Sequence, residues 1–159
     1  MALYSTNNKQ AGTQQALAAS PGKTLVNLTA LTGAATLKRG WIYEWEVGAD
    51  GAPNATDCAI TWEFMRNSSV GTGTAVTPSP LDTADTAAGL VGTANHTVEP
   101  TLGVSLMAVA LNQRNSQRWI ARDEKSAMII PATTVTGVGC RAYSPTYAST
   151  GVVTLFFAE

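Results

Sequence analysis

The groups in this sequence that could do chemistry are few. Glu44 and Glu46 stand two apart on one alternating segment, and Glu63 lies on the next. A glycosidase needs two carboxylates at a set separation across a cleft. A polar strand face pairing with arginines such as Arg66, or those around Arg114, needs only proximity, and it is the plainer reading. His96 is the single histidine. A catalytic imidazole requires a nucleophile to deprotonate and a third group to fix its tautomer. Asn95-His96-Thr97 offers neither, so His96 is expected to be an exposed strand residue. Asp50, Asn54 and Asp57 share one loop and offer oxygens to calcium, which takes six to eight of them, yet the spacing of a calcium loop is missing and a solvated turn is expected. Gly71-Thr-Gly73-Thr lacks the lysine and following helix of a phosphate loop. Cys58 and Cys140 carry no metal-ligand spacing; one disulfide is open to them, but two buried thiols acting as small hydrophobes is the simpler expectation. No catalytic, cofactor-binding or metal-ligating residue is predicted, and the chain is not read as an enzyme.

The elements that hold these groups are strands. Trp41, Tyr43, Trp45 and Val47 alternate with Glu44 and Glu46, and Cys58, Ile60, Trp62 and Phe64 repeat the pattern. Side chains alternate faces along a strand, so each ribbon presents one apolar face. The Gly48, Asp50, Gly51, Pro53 and Asn54 loop between them suggests a wide antiparallel hairpin. Trp41, Trp45, Trp62 and Trp119 are candidate platforms for sugar rings, but the first three fall on the apolar side and are expected in the core.

Leu25, Val26, Leu28 and Leu31 mark an earlier strand, and further strands are expected near 93–99, 104–111, 117–121, 127–130, 135–142 and 151–157. The Ser-, Thr- and Gly-rich stretch 67–80 suggests a long loop with at most a short strand around Val76. One short helix is predicted over 82–88, with Asp82 as N-cap and Gly89 as stop. Arg114, Arg118 and Arg122 are spaced by four, as on one helical face. Asn112, Asn115 and Ser116 favour a turn, however, and Trp119 and Ile120 a strand, so a hairpin is preferred. Many short strands with turn signals roughly every 8 to 12 residues predict an all-β, two-sheet antiparallel sandwich, jelly-roll-like.

With 159 residues the chain fits one domain: an extended N-terminal arm over 1–22 and a sandwich over 23–159. The arm is polar, with Leu3, Tyr4 and Leu17 as its only anchors, and is expected to order against a partner. Charged residues are 13% of the chain, about half the average share. Ala, Thr, Ser and Gly take their place, which suits a surface covered by other protein. A net charge of -1 gives no field toward nucleic acid or anionic lipid. No stretch approaches the roughly 20 apolar residues of a membrane span, and no secretory signal opens the sequence, so a product made in the cytoplasm is expected.

Leu111-Asn-Gln-Arg-Asn-Ser-Gln-Arg-Trp-Ile120, Met128-Ile-Ile-Pro-Ala132, Gly139-Cys-Arg-Ala-Tyr-Ser-Pro-Thr146 and Val152-Val-Thr-Leu-Phe-Phe-Ala-Glu159 together resemble a group of tailed-bacteriophage virion proteins. The opening Tyr-Ser-Thr-Asn-Asn-Lys-Gln10 and the loop Gly48-Ala-Asp-Gly-Ala-Pro-Asn54 resemble them too. Those proteins are small β-sandwiches, often head decoration (cement) proteins. The resemblance implies a non-enzymatic capsid decoration protein on the phage head, bound to the major capsid protein and to itself, as a homotrimer. It implies no nucleic-acid or membrane partner. Leu3, Tyr4, Asn7 and Asn8 of the arm, with Arg114, Arg118 and Arg122, are the expected partner-binding residues. The alternative is a carbohydrate-binding sandwich in a fibre or tail subunit, which requires a tryptophan exposed beside Asn or Asp in a shallow groove.

Overall fold

A computed structural model describes residues 1–159. Twelve strands carry it: β1 (Leu3–Asn7), β2 (Lys23–Ala30), β3 (Gly40–Ala49), β4 (Ala59–Asn67), β5 (Thr72–Val76), β6 (Ser79–Pro80), β7 (Leu90–Val98), β8 (Leu102–Asn112), β9 (Ser116–Ile120), β10 (Met128–Ile130), β11 (Gly137–Tyr143) and β12 (Gly151–Ala158). They form two antiparallel sheets packed face to face. The first runs β10-β3-β12-β1-β6, and β9 continues along β3 where β10 stops; the second runs β5-β7-β2-β11-β4-β8. Between them lie Trp45, Trp62, Phe64, Leu28, Ile42, Ile60, Leu155 and Phe157, all fully buried. The all-β sandwich expected from the alternation is what the chain adopts.

No two strands that follow each other in sequence are hydrogen-bonded to each other. Eight of the eleven connections cross from one sheet to the other, β3 to β4 among them, so the expected hairpin of aromatic ribbons does not form. β3 and β4 sit in opposite sheets and meet through their side chains, with Trp45 stacked on Phe64 at 4.7 Å between ring centres. The physical reason is burial: two ribbons paired edge to edge would still need a cover for their shared apolar face, whereas facing each other they cover one another. The same correction applies to the arginine region. Asn115 N–H donates to the Asn112 carbonyl (2.9 Å) and Arg114 N–H to the Asn112 side chain (2.9 Å), so the turn exists. It turns a corner between sheets, however, since β8 pairs with β4 and β9 with β3.

The stretch 1–22 is not a free arm. β1 lies between β12 and β6, with Leu3 opposite Ala158 and Tyr4 opposite Pro80. Tyr4 and Thr6 are buried, and Tyr4 stacks on Phe157 at 5.4 Å. Asn8 fastens the next turn: its Nδ2 donates to the Gly151 carbonyl (2.8 Å) and its Oδ1 accepts from Val153 N–H (3.0 Å). A polar amide does here what a backbone ladder does elsewhere, which is why the segment shows no apolar period. The short helix over 82–88 is also absent. Asp82 Oδ1 accepts from Ala84 N–H (2.9 Å) and the Asp82 carbonyl from Asp85 N–H (3.0 Å), but one turn is all that forms. A helix of that length has too few bonds to offset its nucleation cost.

Candidate functional site

The candidate chemical groups are held apart. Glu44 and Glu63 stand on strands of opposite sheets and face no common cleft. Each has an arginine instead. Arg118 Nε lies 2.6 Å from Glu44 Oε1 and 3.6 Å from Glu46, while Arg141 Nη2 lies 2.7 Å from Glu63 and its guanidinium sits over the ring of Tyr143 at 5.7 Å. The expected pairing of Glu44 and Glu46 with an arginine of the Arg114 region is therefore made by Arg118, and the paired charges hold the Arg118 guanidinium still more firmly protonated.

His96 is buried rather than exposed. Its Nδ1 faces the Thr24 carbonyl at 3.1 Å, so that nitrogen carries the proton, and Nε2 accepts from Thr93 Oγ1 at 3.1 Å. Burial lowers its pKa below the usual histidine value. Both ring nitrogens are spent on structure. The oxygens of the 50–57 loop are divided as well: Asp50 pairs with Lys9 (2.8 Å), Asp57 with Arg114 (2.8 Å), and the Asn54 amide with the Thr146 carbonyl (2.9 Å). The hydrogen bond from Arg114 holds the Asp57 carboxyl below the ordinary range. No three His, Cys, Asp or Glu side chains gather where they could hold a metal ion. Cys58 and Cys140 are free thiols, Cys140 fully buried with its pKa pushed up by that burial and Cys58 half-buried beside Gln113.

Of the expected contact residues, Tyr4 and Asn8 are inside the fold and cannot meet a partner, because β1 and its turn use them as described above. Leu3 and Asn7 remain at the surface, Leu3 the more open. Arg114, Arg118 and Arg122 are spread along the β8–β9 corner, β9 and the loop beyond it, and each already has an acid: Asp57, Glu44 and Asp123 (3.3 Å). They are not gathered into one patch.

Two surface features escape the sequence reading. The first is β8, which pairs along one side only, with β4, and ends the second sheet. None of its residues is buried, and Val104 is 70% exposed. Met107, Val109 and Leu111 pack only partly on the core. Its free side is a row of backbone donors and acceptors with neither charge nor proline anywhere from Leu102 to Asn112. The other edges are blunted. β6 is two residues long and contains Pro80, β10 is three residues long and is followed by Pro131, β5 is short and irregular, and β9 carries Arg118. Apolar residues in both phases of 102–112 are the signal that could have revealed an uncovered strand.

The second is Trp41. Phe157 pairs with Ile42 and Phe156 with Glu44, so Tyr43 is the extra residue of a β-bulge. Trp45 and Val47 point inward, Ile42 takes the inward place before the bulge, and Trp41 and Tyr43 come out on the outer face of the sheet beside a surface cavity of about 390 Å3. The expected core position of Trp41 is thus corrected; Trp45 and Trp62 are in the core. Trp119 is half-buried at its rim, stacked on Trp45 at 6.0 Å.

Set beside known protein families and curated proteins, the chain matches none. What it offers is a sandwich with two unused surfaces, the open edge of β8 and the hollow beside Trp41.

Proposed function

We propose that this chain is a non-enzymatic structural component of a phage virion, a head decoration protein that lies on the capsid shell and stabilises it. The observation that carries this reading is β8: eleven residues of uncharged, unburied edge strand, which a soluble monomer would normally blunt. A neighbouring chain adding a strand there would satisfy the free backbone groups and cover Val104 and Leu106 at once. No charge would have to be desolvated in doing so. The neighbour is the major capsid protein or another copy in a homotrimer, where cyclic closure would use every such edge. The small uncharged residues that replace charge across the chain support close contact of the same kind.

Deleting the first residues would not test this, since β1 and Asn8 belong to the fold. The test is at the edge: virions stripped of the protein are incubated with the wild type and with Val104→Lys or Leu106→Lys. Val104 is 70% exposed and Leu106 38%, so Val104→Lys should melt as the wild type does and Leu106→Lys close to it, while both lose rebinding. Rebinding at wild-type level by both variants would sink the proposed contact.

A further inference from the structure

The hollow on the outer face of the first sheet is built in a way that β8 does not explain. Leu3, Ala158 and Trp41 form one row across three strands, Leu3 opposite Ala158 and Ala158 opposite Trp41. The small alanine between two large neighbours makes the floor. Tyr43, brought out by the bulge, forms one side. The segment after β9 closes the other: Ala121 N–H donates to the Tyr43 carbonyl (2.7 Å), and the chain then places Asp123 and Glu124 at the rim.

The rim acids are not equivalent. Asp123 Oδ1 accepts from Ser126 N–H (2.9 Å) and its Oδ2 meets Arg122 Nε (3.3 Å), so this carboxylate is fixed in place and its charge is offset. Glu124 is drawn into no ion pair. Burial, and then the nearby charge of Glu44, raises the pKa of Tyr43, so its phenol keeps its proton and can donate. The cavity wall is almost wholly aromatic and aliphatic, and Tyr43, Asp123 and Glu124 are the lining residues whose side chains carry a hydroxyl or carboxylate. Its volume lies at the lower end of the range for small-molecule sites, and it is larger than one extended side chain requires.

We propose that this hollow binds a neutral pyranose ring of a glycan. The apolar C–H face of the sugar lies on the Trp41 indole, and its hydroxyls donate to Asp123 and Glu124 and accept from Tyr43. A basic side chain is the less suited occupant, because Arg122 already answers Asp123. A purely apolar ligand would leave the rim carboxylates idle. One shallow site binds weakly, but many copies on one particle would act together through effective concentration.

The experiment is a saturation-transfer NMR and tryptophan-fluorescence titration with the methyl glycosides of glucose, galactose, mannose and N-acetylglucosamine. At least one should bind the wild type, Trp41→Ala should weaken it by about tenfold or more, and Trp41→Phe should recover part of the loss. Glu124→Gln, at the exposed start of a single 3-10 turn (Glu124–Ser126) outside both sheets, should weaken it as well. Binding unchanged in Trp41→Ala, no binding by any glycoside, or binding of N-acetyl-lysine methylamide in their place would each overturn the assignment.

Discussion

β3 and β4 look like copies of one another in sequence, yet only β4 keeps the phase its alternation announces. Ile60, Trp62 and Phe64 all point into the core. In β3 the extra residue at Tyr43 shifts the phase, so that Ile42 takes the buried place and Trp41 is released to the surface. The aromatic alternation of β4 goes wholly into the core; β3 withholds two aromatics, Trp41 and Tyr43, from it. The difference teaches that an alternating pattern fixes where a strand is, while its partner's register fixes which way each half of it faces.

The largest effect should separate the two tryptophans. Trp62→Ala empties a fully buried site and should cost about 3–5 kcal/mol, whereas Trp41→Ala should cost about 1 kcal/mol; equal losses in urea unfolding would mean that the bulge is not where the register places it. Next come the carboxylates that each ribbon carries outward. Glu63→Ala strands Arg141, whose side chain is only 20% exposed, and should cost about 2 kcal/mol. Glu44→Gln leaves Arg118 free to turn to solvent, so its loss should be smaller and should fade as salt is added. Salt titration of the two unfolding midpoints distinguishes them.

A third contrast is in the glycines that the ribbons face. A Cβ at Gly151 would come within 2.5 Å of the Trp62 ring, while one at Gly48 would stop at 3.3 Å from Ser116 Cβ. Gly151→Ala should therefore cost about 1–2 kcal/mol through overpacking, with near-UV circular dichroism of the buried indole changed. Gly48→Ala should leave that signal as it is. A Gly151→Ala protein with unaltered stability would show that Trp62 has room the packing does not suggest.

Strand positions were most legible where burial alternates, as it does over seven residues of β7 and of β12; β2 and β11 lie inside their sheet and are buried almost throughout. The strands' partners were not legible, since no pair is joined by a local hairpin and the turn residues of the 50–58 and 112–115 loops look alike whether they close a hairpin or cross to the other sheet. β1 was hidden for a different reason: Tyr4 and Thr6 are its only inward side chains, and Asn8 completes it through hydrogen bonds that leave no hydrophobic trace. Trp41 was misplaced because the bulge depends on Phe156 and Phe157, more than a hundred positions away. The hollow beside it could not be read from residues that only the register brings into one row.

The smallest effect lies outside both ribbons and sets the pH at which they can be compared. His96 is held neutral by burial, with its folded pKa below the unfolded value near 6.5. As pH falls through that value the unfolded chain takes up a proton that the native chain refuses, so unfolding gains and stability declines until the folded pKa is reached. Above about pH 7 the contribution is fully present and the slope vanishes. His96→Gln should remove the dependence between neutrality and the onset of carboxylate titration, at some cost in stability from the lost contacts to Thr24 and Thr93. If the variant keeps the wild-type slope in urea midpoints across that window, the imidazole is not the group that titrates there.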